Sequence, residues 1–163
     1  METTHDPEIY RAKLAADMAV YEAKVAAFAE RRARVLLSNK SALFAALAAV
    51  DIHTVVVNFD GYGDSGQIER IDGFTQNNTE VELPEAPIET QQATFEAETI
   101  GASMQSLREV IEAMAYAFLE ETHIGWQDND GAYGEFTFAV ADQAITLDYN
   151  ERFTDSTNYQ HEF

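Results

Sequence analysis

From Pro7 to Leu36 the chain carries no glycine and is alanine-rich and helix-prone throughout. Its larger apolar residues, Tyr10, Leu14, Met18, Tyr21, Val25, Phe28 and Val35, recur at steps of three and four, with Arg32 taking one seam position. Few sequences are so restricted: this one predicts a single long amphipathic helix of about 40 Å, capped by Asp6 with Pro7 in its first turn. The seam is regular enough to serve a partner helix, either in cis or in a dimer. Ser38 or Asn39 offers a cap for a second, shorter helix through Val50, with Leu43, Phe44, Leu47 and Val50 on one face. The two helices are expected to form an αα-hairpin.

From His53 the pattern changes to β-branched and aromatic residues bounded by glycine and asparagine. Thr54 to Phe59, Gln67 to Thr75 and Thr79 to Leu83 read as strands. Pro84 to Thr99, with two prolines and a run of glutamates, reads as a connector. Ser103 to His123 reads as a helix that covers a sheet, with Met104, Leu107, Ile111, Met114 and Phe118 on one face and Gly125 closing it. In the last third, Phe136, Phe138 and Val140 alternate with Glu135, Thr137 and Ala139, and Ile145, Leu147 and Tyr149 match them after a turn at Ala141-Asp142. The order implies an α+β fold: an amino-terminal αα-hairpin, then a mainly antiparallel sheet of about five strands covered by one helix. Residues 1–50 form the helical hairpin or arm, and residues 51–163 the acidic α+β domain.

Charge divides the chain at nearly the same point. Residues 1–50 hold seven basic and six acidic residues, whereas residues 51–163 hold 23 acids against Arg70, Arg108 and Arg152, with no lysine after Lys40. A net charge of -19 on 163 residues opposes compaction, yet 46% hydrophobic residues, 11% aromatic, are enough to fold a core. Disulfides and thiolate zinc sites are excluded, since there is no cysteine. The acidic first thirty residues do not read as a signal peptide and no run of eighteen apolar residues occurs, so the expected setting is the cytoplasm, with no membrane contact.

The stretch N-F-D-G-Y-G-D-S-G-Q-I-E, Asn58 to Glu69, admits three readings. In a calcium-loop register Asn58, Asp60 and Asp64 fall at positions one, three and seven, Gly63 at six and Glu69 at twelve, but Tyr62 and Ser65 break the pattern and strands flank it. Gly63-Asp64-Ser65-Gly66 spells the letters around a serine nucleophile, without an assembled base or oxyanion hole. The third reading is a hairpin loop, in which the glycines permit positive φ. Gly131 to Phe138 repeats the design, each loop launching a strand. If those two strands lie side by side, Asp60, Asp64, Asp128 and Asp130 gather at one end of the sheet, as an acidic recognition edge or a shared cation site.

The strings F-D-G-Y-G-D-S-G-Q-I-E, W-Q-D-N-D-G-A-Y-G-E-F-T-F and I-T-L-D-Y-N-E-R resemble an uncharacterised family of small bacterial proteins, classed as a domain of unknown function and associated with plasmids and other mobile elements. The likeness covers about residues 50–155. It implies a setting and transfers no catalytic residue.

Elsewhere, His5, His53, His123 and His161 are scattered without metal-ligand spacing, and His123 is placed to complete a helix dipole. Trp126 reads either as a surface anchor or as a core plug at the helix-to-hairpin turn. No loop has the Lys-Ser/Thr of a phosphate cradle, and the acidic field opposes direct nucleic-acid binding apart from the small cluster Arg31, Arg32, Arg34 and Lys40.

These features predict a non-enzymatic protein without cofactor or metal, whose acidic body occupies a basic surface of a nucleic-acid-binding protein in the manner of a DNA mimic. The partner-binding residues are then Asp60, Asp64, Asp128, Asp130, Glu135, Asp148 and Trp126, with Glu109, Glu112 and Glu120 in reserve. The alternatives are an antitoxin or regulatory subunit that dimerises through its long helix, and a calcium-binding module or hydrolase using the acidic loops.

Overall fold

The computed structural model describes residues 6–163, so His5 lies outside the described residues. The elements in chain order are α1 (Pro7–Ala49), β1 (Thr54–Tyr62), β2 (Ser65–Phe74), β3 (Glu80–Val81), β4 (Pro87–Gln92), β5 (Gly101–Ser106), α2 (Leu107–Thr122), β6 (Ala132–Ala139) and β7 (Ala144–Glu151). The class is α+β, as the residue pattern predicts. Among the described residues, no helix is long and apolar enough to cross a membrane.

The expected αα-hairpin is absent, because α1 runs unbroken for 43 residues, about 65 Å. Ser38 and Asn39 do not cap a second helix. The Asn39 side chain instead binds backbone, accepting from the Gln91 N–H at 2.7 Å and donating to the Gln91 carbonyl at 2.9 Å. The helix ends ten residues later without glycine. Asp51 adopts the left-handed conformation (φ 61°), while the Ile52 N–H donates to the Leu47 carbonyl and the Asp51 N–H to that of Ala48. This pair of bonds is the Schellman closure.

The chain forms two compact units, the first comprising, of the described residues, 6–40 and 89–103. Where a connector and a helix start were expected, β4 and β5 pair as a two-stranded sheet. Phe95, in the link between them, packs on Tyr21 (centroids 6.0 Å apart) and edge-on against Phe28 (5.6 Å). Arg31 is buried and donates to the Thr94 carbonyl at 3.3 Å. This segment was hidden in the sequence because P-I-E-T-Q-Q lacks the apolar alternation of a strand.

The second unit, residues 41–88 and 104–163, contains an antiparallel five-stranded sheet in the order β3-β2-β1-β6-β7. These are the five strands that the alternation predicts. Val55, Val57 and Phe59 of β1 and Phe136 and Phe138 of β6 line the buried face, with Leu43, Phe44 and Leu47 of α1 and Leu107, Ile111 and Leu119 of α2 in the same core. Val50 and Met104, expected on apolar faces, are exposed. The second helix starts four residues later than predicted, at a capping box: Ser106 Oγ accepts from the Glu109 N–H, and Glu109 Oε2 accepts from the Ser106 N–H at 2.7 Å.

Candidate functional site

The glycine-rich stretch is a β-hairpin. Tyr62 pairs with Ser65 across a two-residue turn in which Gly63 (φ 59°) and Asp64 (φ 66°) are both left-handed, the geometry that a type I′ turn requires. Asn58 and Asp60 therefore stand on β1, and Glu69 lies in β2 beside a register shift at Asn58/Phe59. The twelve positions of the calcium register run up one strand and down the next instead of wrapping a point. Among the described residues, no three His, Asp or Glu side chains are grouped to hold a metal ion.

β2 and β6 do not lie side by side, the arrangement expected to gather the four aspartates; β1 sits between them, antiparallel to both. The two launching loops meet all the same, since flanking strands that run opposite to β1 both start at its far end. The Gly63 N–H donates to the Asn129 carbonyl and the Asp64 N–H to that of Gln127, each at 3.1 Å. Backbone bonds thus hold Asp64 beside the loop that carries Asp128 and Asp130. Asp130 is further fixed, accepting from the Thr154 N–H at 2.7 Å.

Trp126 makes this junction solid. Its side chain is 4% exposed, which fits the core-plug role and removes it as a surface anchor. The indole packs edge-on against Phe59 and occupies a slot left by two glycines: a Cβ on Gly66 would come within 2.4 Å of the ring, and one on Gly61 within 2.8 Å. Among the described residues the buried indole N–H has no acceptor, so shape and apolar contact hold the ring. His123, beyond α2, stacks on Tyr149 with centroids 3.6 Å apart. Burial, and secondarily the Glu151 carboxylate, raise the Tyr149 phenol above its ordinary 10.0.

On the outer face of the sheet the register aligns Arg70, Asn58, Glu135 and Asp148 in one row across four strands. Glu135 and Asp148 are directly opposed like charges, both exposed. Among the described residues each takes only an amide donor, Asn58 Nδ2 at 3.3 Å for Glu135 and Asn150 Nδ2 at 3.2 Å for Asp148. Asp60 differs from the other predicted acids. Arg152 grips it through both guanidinium nitrogens (2.9 and 3.2 Å), donates to the Gly61 carbonyl at 3.0 Å and lies 4.6 Å from the Tyr133 ring centre. Arg70 pairs with Asp72 (3.0 Å) and lies 3.7 Å from Glu80. A cleft of about 240 Å³ opens beside the loop, lined by Asp128, Asp130, Tyr149, Glu151 and Arg152 among others.

Of the seven predicted residues, then, Asp64, Asp128 and Asp130 come together at the sheet end, Glu135 and Asp148 stand on the face beside it, Asp60 is ion-paired and Trp126 is buried. Of the acids held in reserve, Glu109 belongs to the α2 cap. Arg152 was missed, though its rarity as one of three bases after Lys40 was the available signal.

What the fold defines is an α+β protein with one acidic, backbone-braced sheet end. The chain belongs to a family of unknown function (DUF6878), whose model matches residues 35–163. Neither a curated protein nor a solved structure matches it.

Proposed function

We propose that the protein is a non-enzymatic interaction protein whose acidic sheet end and face occupy a basic surface of a nucleic-acid-binding partner, as a DNA-mimic-type inhibitor. The observation that carries this reading is the Glu135–Asp148 pair. Like charges directly opposed on adjacent strands are destabilising, and no cation of the chain lies between them in the row. A surface that tolerates such repulsion gains from being covered by positive charge. Asp64, Asp128 and Asp130 extend the field onto loops held by backbone bonds, so little ordering entropy is lost on binding. Duplex DNA presents a charge every ~1.7 Å of axis, so the excess of about twenty acids after residue 50 matches the charge of roughly ten base pairs. A bacterial, plasmid-borne or other mobile-element setting fits an inhibitor of a nuclease, CRISPR effector or regulator.

Affinity capture on the immobilised chain, from the cell of origin, tests the reading. A retained DNA-binding protein should be released by competing duplex and by about 0.5 M salt. It should also be lost when Asp64, Asp128, Asp130 and Asp148 become Asn and Glu135 becomes Gln. Retention that survives duplex, salt and the five substitutions sinks the reading.

A further inference from the structure

The first unit carries a surface that the acidic body does not explain. Along α1, Leu14, Met18, Tyr21 and Val25 are 48%, 55%, 61% and 43% exposed, with Phe95 of the same chain packed on one side of Tyr21. They are spaced 4-3-4, which places Met18 and Val25 at heptad position a and Leu14 and Tyr21 at d. Two such stripes bury each other when helices pair, and the flanking residues decide the direction.

We infer that α1 pairs with α1 of a second copy, antiparallel, in the register that sets Leu14 against Val25 and Met18 against Tyr21 of the other chain. The flanking g positions are Asp17 and Lys24, and the flanking e positions are Ala15 and Glu22. Antiparallel helices bring g beside g, so Asp17 meets Lys24 of the other copy, twice by symmetry. Parallel helices bring g beside the following e, so Asp17 would meet Glu22, also twice. The seam is self-complementary in one direction and self-repelling in the other.

This inference is independent of the proposed function, since it uses no residue assigned to the partner surface.

The chain has no cysteine, so a single nitroxide on Glu8→Cys is an unambiguous probe. Sedimentation of the wild-type chain at about 100 µM should give a dimer, and Met18→Lys and Val25→Lys monomers whose thermal midpoint matches that of the wild-type chain diluted until it is monomeric. The paired labels should lie about 35 Å apart, whereas a parallel pair would hold them near the interaxial distance of about 10 Å plus the label arms. Asp17→Lys should raise the dimer dissociation constant about tenfold, and Asp17→Lys with Lys24→Asp should restore it. A wild-type monomer, a short label distance or a failed charge swap overturns the inference.

Discussion

The two units treat apolar side chains in opposite ways. In the sheet-bearing unit, Val55, Val57, Phe136 and Phe138 are buried to within 1% of completely and the surface is left to acid. In the first unit α1 leaves Ile9, Leu14, Met18, Val20 and Tyr21 about half exposed or more, on a helix whose alanine content supports it locally. Burial holds the one and backbone propensity carries much of the other. Their response to side-chain truncation should therefore differ most. Phe138→Ala removes a ring that packs on Phe44 and should cost about 3–5 kcal/mol of unfolding free energy. Val20→Ala, off the heptad seam, should stay within about 0.5 kcal/mol. Urea denaturation followed by circular dichroism measures both, and equal losses would break the comparison.

The same contrast decides what could be read from residue types alone. The five strands of the sheet were legible because alternation reports burial on one face, and burial is what positions them. The first unit was less legible because long-range polar partners shape it. Asn39 looks like a helix cap until Gln91, 52 residues away, is seen to take both atoms of its amide. At the site, the repeated loop design predicts that Asp60, Asp64, Asp128 and Asp130 gather if β2 and β6 are neighbours; β1 lies between them, backbone bonds join the two loops instead, and Asp60 is taken by Arg152. Reading the glycines as turn formers was right for Gly63 and Gly131, whose φ values are positive, and incomplete for Gly61 and Gly66. Those two make room for Trp126, a requirement set by a residue some 60 positions later.

Glycine substitution sharpens the comparison with a smaller effect. An alanine methyl at Gly66 would fall 2.4 Å from the indole Cη2 and 2.9 Å from the Gln127 Cβ, and neither can withdraw without loosening the loop that bears Asp128 and Asp130. Gly66→Ala should therefore lower stability by about 1–3 kcal/mol. In the first unit, the nearest atom to a methyl on Gly101 is the Gln92 carbonyl oxygen at 3.9 Å, ordinary contact. Gly101→Ala should be neutral, or slightly stabilising because the unfolded chain loses freedom. The denaturant midpoint distinguishes the two. A tolerated Gly66→Ala would mean that the indole slot is not fixed.

The smallest effect lies at the helix starts. α1 is capped in one direction, Asp6 Oδ1 accepting from the Glu8 N–H at 2.9 Å, whereas α2 has the reciprocal box of Ser106 and Glu109. Acceptance from the Ser106 backbone N–H, and then the hydrogen bond with the Ser106 side chain, holds the Glu109 carboxyl below its ordinary 4.5. A carboxyl whose folded value is depressed binds its proton less readily than in the unfolded chain. Its contribution is therefore present above about pH 4.5 and disappears as pH falls through the lowered value. Comparing Glu109→Gln with Glu112→Gln keeps net charge equal, so the self-repulsion of the acidic body cancels. At pH 7 Glu109→Gln should melt lower than Glu112→Gln, because its neutral amide is a weaker acceptor for the Ser106 N–H. Once pH has fallen through the lowered value the two midpoints should converge. A gap that persisted there would place the stabilisation in packing instead of in the charge at the cap.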